Sequence, residues 1–316
     1  MMFWKKKNNT APHGIRLEDL AGLLAPTSIK TRIADGMLFA RSDGYETVVK
    51  VVDPVRHGPE DDSIKAVILL TTDLPKATSD LFRTPEMMSM ANTFAGLGAL
   101  CRDGDRLYVG SRLTVYESPN VWTNLHLPLL LFTTLSATES IVGGVRRVVG
   151  QESHRGGPRS KWSEPDFSRI ANYLSSHCFC TSDGSGFTAE FGLSEGALSA
   201  ANFDTDTALF QLQAEEQHPE LGSGLMALLQ MPHEIPDGQK LLEVCEQLNL
   251  LEMAPLGLPP HFGAWCPGRR GNNLAYVSFY LNALHAASDL AVNAAFWAKT
   301  RAHWANARLA ELGVRN

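Results

Sequence analysis

A chain of 316 residues is long enough to bury two hydrophobic cores of ordinary domain size. Its 44% hydrophobic and 20% charged residues are those of a globular protein and exclude an intrinsically disordered chain. A net charge of −6 argues against a protein that grips a nucleic-acid duplex, so no nucleic-acid partner is expected.

The start, residues 1–14, reads as frayed: Lys5-Lys6-Lys7 is like the front of a secretion signal, but no apolar stretch follows it. Leu17, Leu20, Leu23 and Leu24 form a helical stripe that Pro26 ends. Three strands are predicted next, over residues 36–40, 47–52 and 65–72, as an antiparallel meander. Thr84-Pro85-Glu86 opens a helix, with Thr84 as its cap and Pro85 at its first position. Met87, Met88, Met90, Ala91, Phe94 and Leu97 supply its apolar face, and Gly96 and Gly98 close it. Residues 100–102, the turn Asp103-Gly104-Asp105 and residues 106–116 predict a β-hairpin. Residues 128–149 read as mostly helical. The longest apolar stretch, residues 125–135, is broken by Pro128, Thr133 and Thr134. It falls short of the roughly 20 residues a membrane helix needs, so no membrane partner is expected.

Residues 151–161 are polar and rich in Gly, Arg and Ser, the composition of a linker. The same order then begins again. A helix runs from Glu164 through Phe167, Ile170, Tyr173 and Leu174, and strands are predicted at residues 178–181, 187–191 and 208–214. A polar, proline-bearing region follows, in which Gly222-Ser223-Gly224 reads as a mobile loop. Asp237 caps a helix carrying Leu241, Leu242, Val244, Cys245 and Leu248. Residues 263–266 and 273–280 form a second hairpin, and residues 283–312 an alanine-rich helix.

The two hairpins align. Gly98-Ala99-Leu100-Cys101 matches Gly263-Ala264-Trp265-Cys266, and residues 107–113 match residues 274–280, with a slightly longer second turn. The predicted fold is therefore α+β: two tandem domains, each an antiparallel sheet with helices packed against it. Each domain reads helix, three strands, helix, two strands, helix. The domains span residues 15–150 and 162–316, and the linker spans 151–161.

This order, carried by Met90-Ala91-Asn92 through Leu113 and by Val244 through Tyr280, resembles the type III secretion chaperone-like and YbjN-like superfamily. Phe262-Gly263-Ala264-Trp265 and Leu274-Ala275-Tyr276-Val277 are the most telling segments. The resemblance implies a small protein-binding fold, often dimeric, that holds a partner polypeptide through exposed apolar surface or a strand edge. A tandem chain would mimic such a dimer internally. The chain departs from the secretion chaperones in being duplicated, about twice their length and less acidic. A generic adaptor or chaperone role survives those differences better than a secretion role.

The residues themselves offer little chemistry. His177-Cys178-Phe179-Cys180 invites a metal, and Cys-x-Cys on a strand puts both thiols on one face, but the second ligand pair is missing. No Gly-x-Ser-x-Gly elbow and no phosphate loop is present. Arg146-Arg147, the cations of residues 155–161 and Arg269-Arg270 read as solvated turn and linker. The five cysteines, an odd number without framework spacing, read as reduced thiols in a cytoplasmic protein.

No catalytic residue, metal or cofactor is therefore expected. The aromatic residues Phe296, Trp297 and Trp304 pack on their own sheet or, if exposed, mark a binding surface; Met87 and Met88 have the same two readings. The expected function is a non-enzymatic adaptor or chaperone-like module with another polypeptide as partner, or as homodimer. The alternatives are a small-ligand sensor or enzyme using a cleft between the domains, and a self-associating structural subunit.

Overall fold

The computed structural model describes residues 14–42, 44–55, 63–93, 96–136, 162, 164–193, 206–218, 221–268, 271–281 and 289–314. The first half runs α1 (Leu17–Leu24), β1 (Lys30–Ala34), β2 (Met37–Ser42), β3 (Tyr45–Val52) and β4 (Ile64–Asp73). It continues through the short α2 (Lys76–Ser79), α3 (Pro85–Asn92), β5 (Ala99–Asp103), β6 (Arg106–Tyr116) and α4 (Trp122–Leu125), and residues 127–136 are helical. The second half runs α5 (Glu164–Leu174), β7 (Phe179–Ser182), β8 (Gly186–Gly192), β9 (Thr207–His218) and β10 (Gly222–Glu234). Then come α6 (Gly238–Glu252), β11 (Ala264–Pro267), β12 (Asn273–Leu281) and α7 (Leu290–Glu311).

The strands form two antiparallel sheets of six, ordered β1-β2-β3-β4-β6-β5 and β7-β8-β9-β10-β12-β11. Both halves follow one path, so the α+β class with two sheet-based halves stands. Each sheet has one strand more than the predicted meander. β1 is an exposed edge strand with no buried residue, so it shows no inward alternation. Its signal is Asp35-Gly36, both at positive φ, which closes the two-residue turn to β2. β10 is the opposite case, a central strand buried on both faces whose apolar run lacks period two. Its Pro232 sits in the register break between Gln230 and Glu234, where no ladder hydrogen bond is lost. Gly222-Ser223-Gly224 is thus the start of a strand and not a loop. The last helix is described from Leu290, and residues 283–288 of the predicted helix lie outside the described residues. The predicted linker, the helix beyond residue 136 and Arg269-Arg270 lie outside the described residues.

One face of each sheet is covered by helices: α1 packs on β1 and β2, α5 on β7 and β8, and α7 on β8, β9 and β10. The cores hold Leu38, Val49, Leu70 and Leu113 in the first half and Phe187, Phe191, Phe210 and Leu225 in the second.

The halves meet through their hairpins, and the contacts are exchanged. The Arg112 N–H donates to His261 O (3.4 Å) and the His261 N–H to Arg112 O (2.8 Å), while the Phe279 N–H donates to Gly96 O (3.0 Å). Arg112 and Phe279 are matched positions of the repeat, and Gly96 precedes Gly98 as His261 precedes Gly263. The central helices α3 and α6 pack on each other, α3 also reaching β11 and α6 reaching β5. Such reciprocal contacts are those of an isologous dimer, here within one chain.

A paired clasp repeats in both halves. Asn92 accepts from the Leu100 N–H (2.7 Å) and donates to Leu100 O (3.1 Å). Asn249 does the same to Trp265, at 2.7 and 2.9 Å. Each amide thereby satisfies a buried N–H and C=O. Both hairpins enter on a glycine that the packing requires. A Cβ on Gly98 would lie 2.6 Å from Ser111 Oγ, and one on Gly263 would collide with the Val277 carbonyl. Asn92→Ala and Asn249→Ala are each expected to lower stability by about 1–3 kcal/mol, because each leaves the strand groups unsatisfied. Urea unfolding measures this; an unchanged midpoint in either variant would show that the clasp carries no stability in that half.

Candidate functional site

The strongest convergence of polar chemistry lies where the halves join. Arg112 enters from β6, Glu252 from the last residue of α6, Arg301 from the middle of α7, and His261 and Trp265 from the segment leading through β11. The side chains of Arg112, Glu252 and His261 are fully buried, and that of Arg301 nearly so. Alanines 294, 298, 302 and 305 keep the buried face of α7 low, which lets the long Arg301 side chain lie between helix and sheet.

Glu252 gathers four donors or neighbours. Arg301 Nε donates to Oε1 (2.6 Å), Arg112 Nη2 to Oε2 (3.3 Å) and Trp265 Nε1 to Oε1 (3.3 Å). His261 Nδ1 lies 3.5 Å from Oε2 and 2.9 Å from the Tyr276 hydroxyl. Arg301 also stacks over the Tyr276 ring, 4.2 Å from its centre. Two guanidiniums face one carboxylate, and backbone carbonyls take up further Nη donors, while Arg112 Nε is left without a partner among the described residues. Arg112 donates to the carbonyls of Ala254 (3.2 Å) and Pro259 (2.8 Å), and Arg301 to that of Pro260 (2.9 Å).

The electrostatics follow from this enclosure. Burial pushes the Glu252 carboxyl up, but the surrounding Arg301, His261 and Arg112 outweigh it and hold it at about 2. Burial pushes His261 down, against the pull of Glu252 and with the help of both arginines, to about 3. Burial also lowers Arg112, to about 10, against the pull of Glu252 and with repulsion from Arg301. At neutral pH the network thus holds two cations, one anion and a neutral imidazole.

Both Glu252 and His261 bind protons more readily in the unfolded chain, so acid favours unfolding. The His261 contribution to stability is full above its ordinary value of 6.5 and is lost as pH falls toward about 3. That of Glu252 is full above 4.5 and is lost as pH falls toward about 2. His261→Asn is expected to flatten the stability profile between pH 6.5 and 4.5 relative to the wild type, leaving the steeper fall below it. Urea midpoints at a series of pH values test this; parallel profiles would show that His261 does not titrate with folding.

This cluster resembles catalytic furniture, but its members are sealed from solvent. The recess bordered by Tyr276, Ser278, Tyr280 and Arg301 has room for about one water molecule. Its residues come from four distant segments, so no spacing announces it. The one sequence signal is a broken match: Arg112 stands in an apolar strand where the repeat has Phe279.

The residues singled out from sequence do not converge. Met88 and Trp297 lie in the core, 2% and 8% exposed, and so present no free binding face. Met87, Phe296 and Trp304 are half-buried against that core. Trp297 packs edge-on to Trp122 (5.3 Å between ring centres) and beside Phe262 (6.1 Å). Phe296 meets the exposed His177 ring at 5.2 Å, and that ring meets the exposed Tyr173 at 5.9 Å. Cys178, just before β7, donates to Leu174 O (3.5 Å), and burial pushes its thiol and that of Cys180 up, Cys180 to about 12. Among the described residues no group of three or more His, Cys, Asp and Glu could hold a metal ion. No helix among them is long and apolar enough to cross a membrane.

Comparison of the chain with protein-family models, with curated proteins and with solved structures finds no match.

Proposed function

We propose that the protein is a non-enzymatic binding module, an adaptor or chaperone-like protein that holds a partner polypeptide. The observation that carries this is the disposition of its surfaces. Among the described residues, the joint between the halves is occupied by the Arg112–Glu252–Arg301 network, where a ligand cleft would otherwise lie. The outer strands β1 and β7, by contrast, pair on one side only among the described residues. β7 carries exposed Phe179 (52%), so an edge and an apolar side chain are offered together. Strand addition at an edge is a general route to binding extended polypeptide. The chaperone-like pattern of the sequence supports the same role, with the internal pseudo-dimer taking the place of two subunits.

The test is purification of the tagged full-length chain from its native host, with identification of what is retained and reconstitution from purified components. A polypeptide that forms a complex of fixed stoichiometry supports the proposal. A clean monomer that retains a small molecule and no polypeptide overturns it.

A further inference from the structure

The two outer edges differ in charge. β7 (Phe179-Cys180-Thr181-Ser182) has no charged residue, whereas β1 (Lys30-Thr31-Arg32-Ile33-Ala34) carries two cations in five residues, and its first four residues are exposed. Cations on an edge strand usually serve to block pairing. Here they extend beyond the edge, to exposed Arg41 on β2 and Lys50 on β3. By strand alternation Lys30, Arg32, Arg41 and Lys50 share one face of the sheet, with the half-buried Met37, Phe39 and Val48.

The pairing is unfavourable as it stands. Lys30 is directly opposite Arg41 in the β1–β2 register, and like charges in that position repel. The carboxylate on this part of the face is Glu46, opposite Arg41, and it is bonded to Arg32 (2.9 Å). Among the described residues no ion pair joins Lys30, Arg41 or Lys50 to an acid. The chain as a whole is acidic, at −6, so this face runs against its average. The opposite side of β1 carries Thr31 and Ile33. Ile33 is 40% exposed there, and α1, which packs on β1, exposes Leu23 (36%).

We infer that the β1 edge is a docking site for an extended acidic segment of a partner polypeptide. The inference rests on the protein-binding function proposed above and gives the partner's chemistry. The segment adds as a strand beside β1 and alternates acidic with apolar residues. Its carboxylates then meet Lys30 and Arg32 and relieve the repulsion with Arg41, while its apolar side chains cover Ile33. A nucleic acid would use the cations but neither the strand edge nor Ile33, so the polypeptide is favoured.

The probe is a labelled peptide of eight residues alternating Glu and Val, titrated against the full-length protein by fluorescence anisotropy. Binding of this peptide, loss of binding when its backbone nitrogens are methylated, and weaker binding of the Lys-for-Glu peptide are expected. Lys30→Glu/Arg32→Glu, both at exposed positions, is expected to weaken binding about tenfold or more. Circular dichroism confirms that the variant is folded. Equal binding by variant and wild type, equal binding of the Lys-for-Glu peptide, or tighter binding of a single-stranded oligonucleotide would each overturn the inference. A native partner retained equally by wild type and variant would overturn this site while leaving the adaptor role intact. Failure to find any polypeptide partner would remove the adaptor role itself.

Discussion

Replacing Glu252 by glutamine is expected to lower stability by about 3–5 kcal/mol, read as a shift of the urea unfolding transition. Glutamine keeps the shape and can still accept from Trp265, so the loss reports charge. The variant leaves the Arg112 and Arg301 guanidiniums together without the carboxylate that separates them, and their side chains are 0% and 4% exposed. Removing one partner of a buried ion pair costs far more than the pair contributes on balance, because the surviving charge has no water to return to. Arg112 belongs to the first half, and Glu252 and Arg301 to the second. The same substitution is therefore expected to loosen the joint and to broaden or split the transition. Arg112→Met/Glu252→Gln/Arg301→Met removes all three charges and is expected to recover part of the loss. Asp19→Asn, at the exposed Arg16–Asp19 pair of α1, is the control and is expected to leave the midpoint in place. A loss below about 1 kcal/mol for Glu252→Gln would show that the carbonyls around the arginines suffice without the carboxylate.

Trp297→Ala is expected to cost about 3–5 kcal/mol, the range for truncating a buried aromatic. Trp297 is 8% exposed and sits between Trp122 of the first half and Phe262 of the second. Truncation opens a cavity at the joint, and neither ring can close on the other without moving its element. Phe296→Ala and Trp304→Ala act on half-buried side chains and are expected to cost less. The same unfolding series separates them. Comparable losses at all three positions would mean that α7 is held by general packing rather than by Trp297. A binding assay with Trp297→Ala would confound a lost site with a lost fold. Substitutions of the exposed Phe179 or Tyr173 are the cleaner probes of partner contact.

The amphipathic pieces were legible because their signals are local. Thr84-Pro85 announces the start of α3, and the Thr84 side chain accepts from the Met87 N–H as a cap should. Asp237 caps α6 through the Gln239 and Lys240 N–H groups. The Asp103-Gly104-Asp105 turn marks the first hairpin, and β5 and β6 pair around it. The alignment of Leu100 with Trp265 is reproduced by the Asn92 and Asn249 clasps on those two residues. β1 was illegible because an exposed edge buries nothing, and β10 because a strand buried on both faces has no alternation to show.

By itself, then, the sequence determined two α+β halves built on a repeated hairpin, through propensity, periodicity and turn chemistry acting over a few residues each. Only the tertiary structure decided that the halves exchange contacts as a pseudo-dimer, that Met88 and Trp297 belong to the core, and that Arg112, Glu252, His261 and Arg301 form one buried network. Those outcomes depend on which faces meet. Side chains from residues 112, 252, 261 and 301 share an environment only once two sheets and two helices have closed around them, and no local pattern in the chain records that closure.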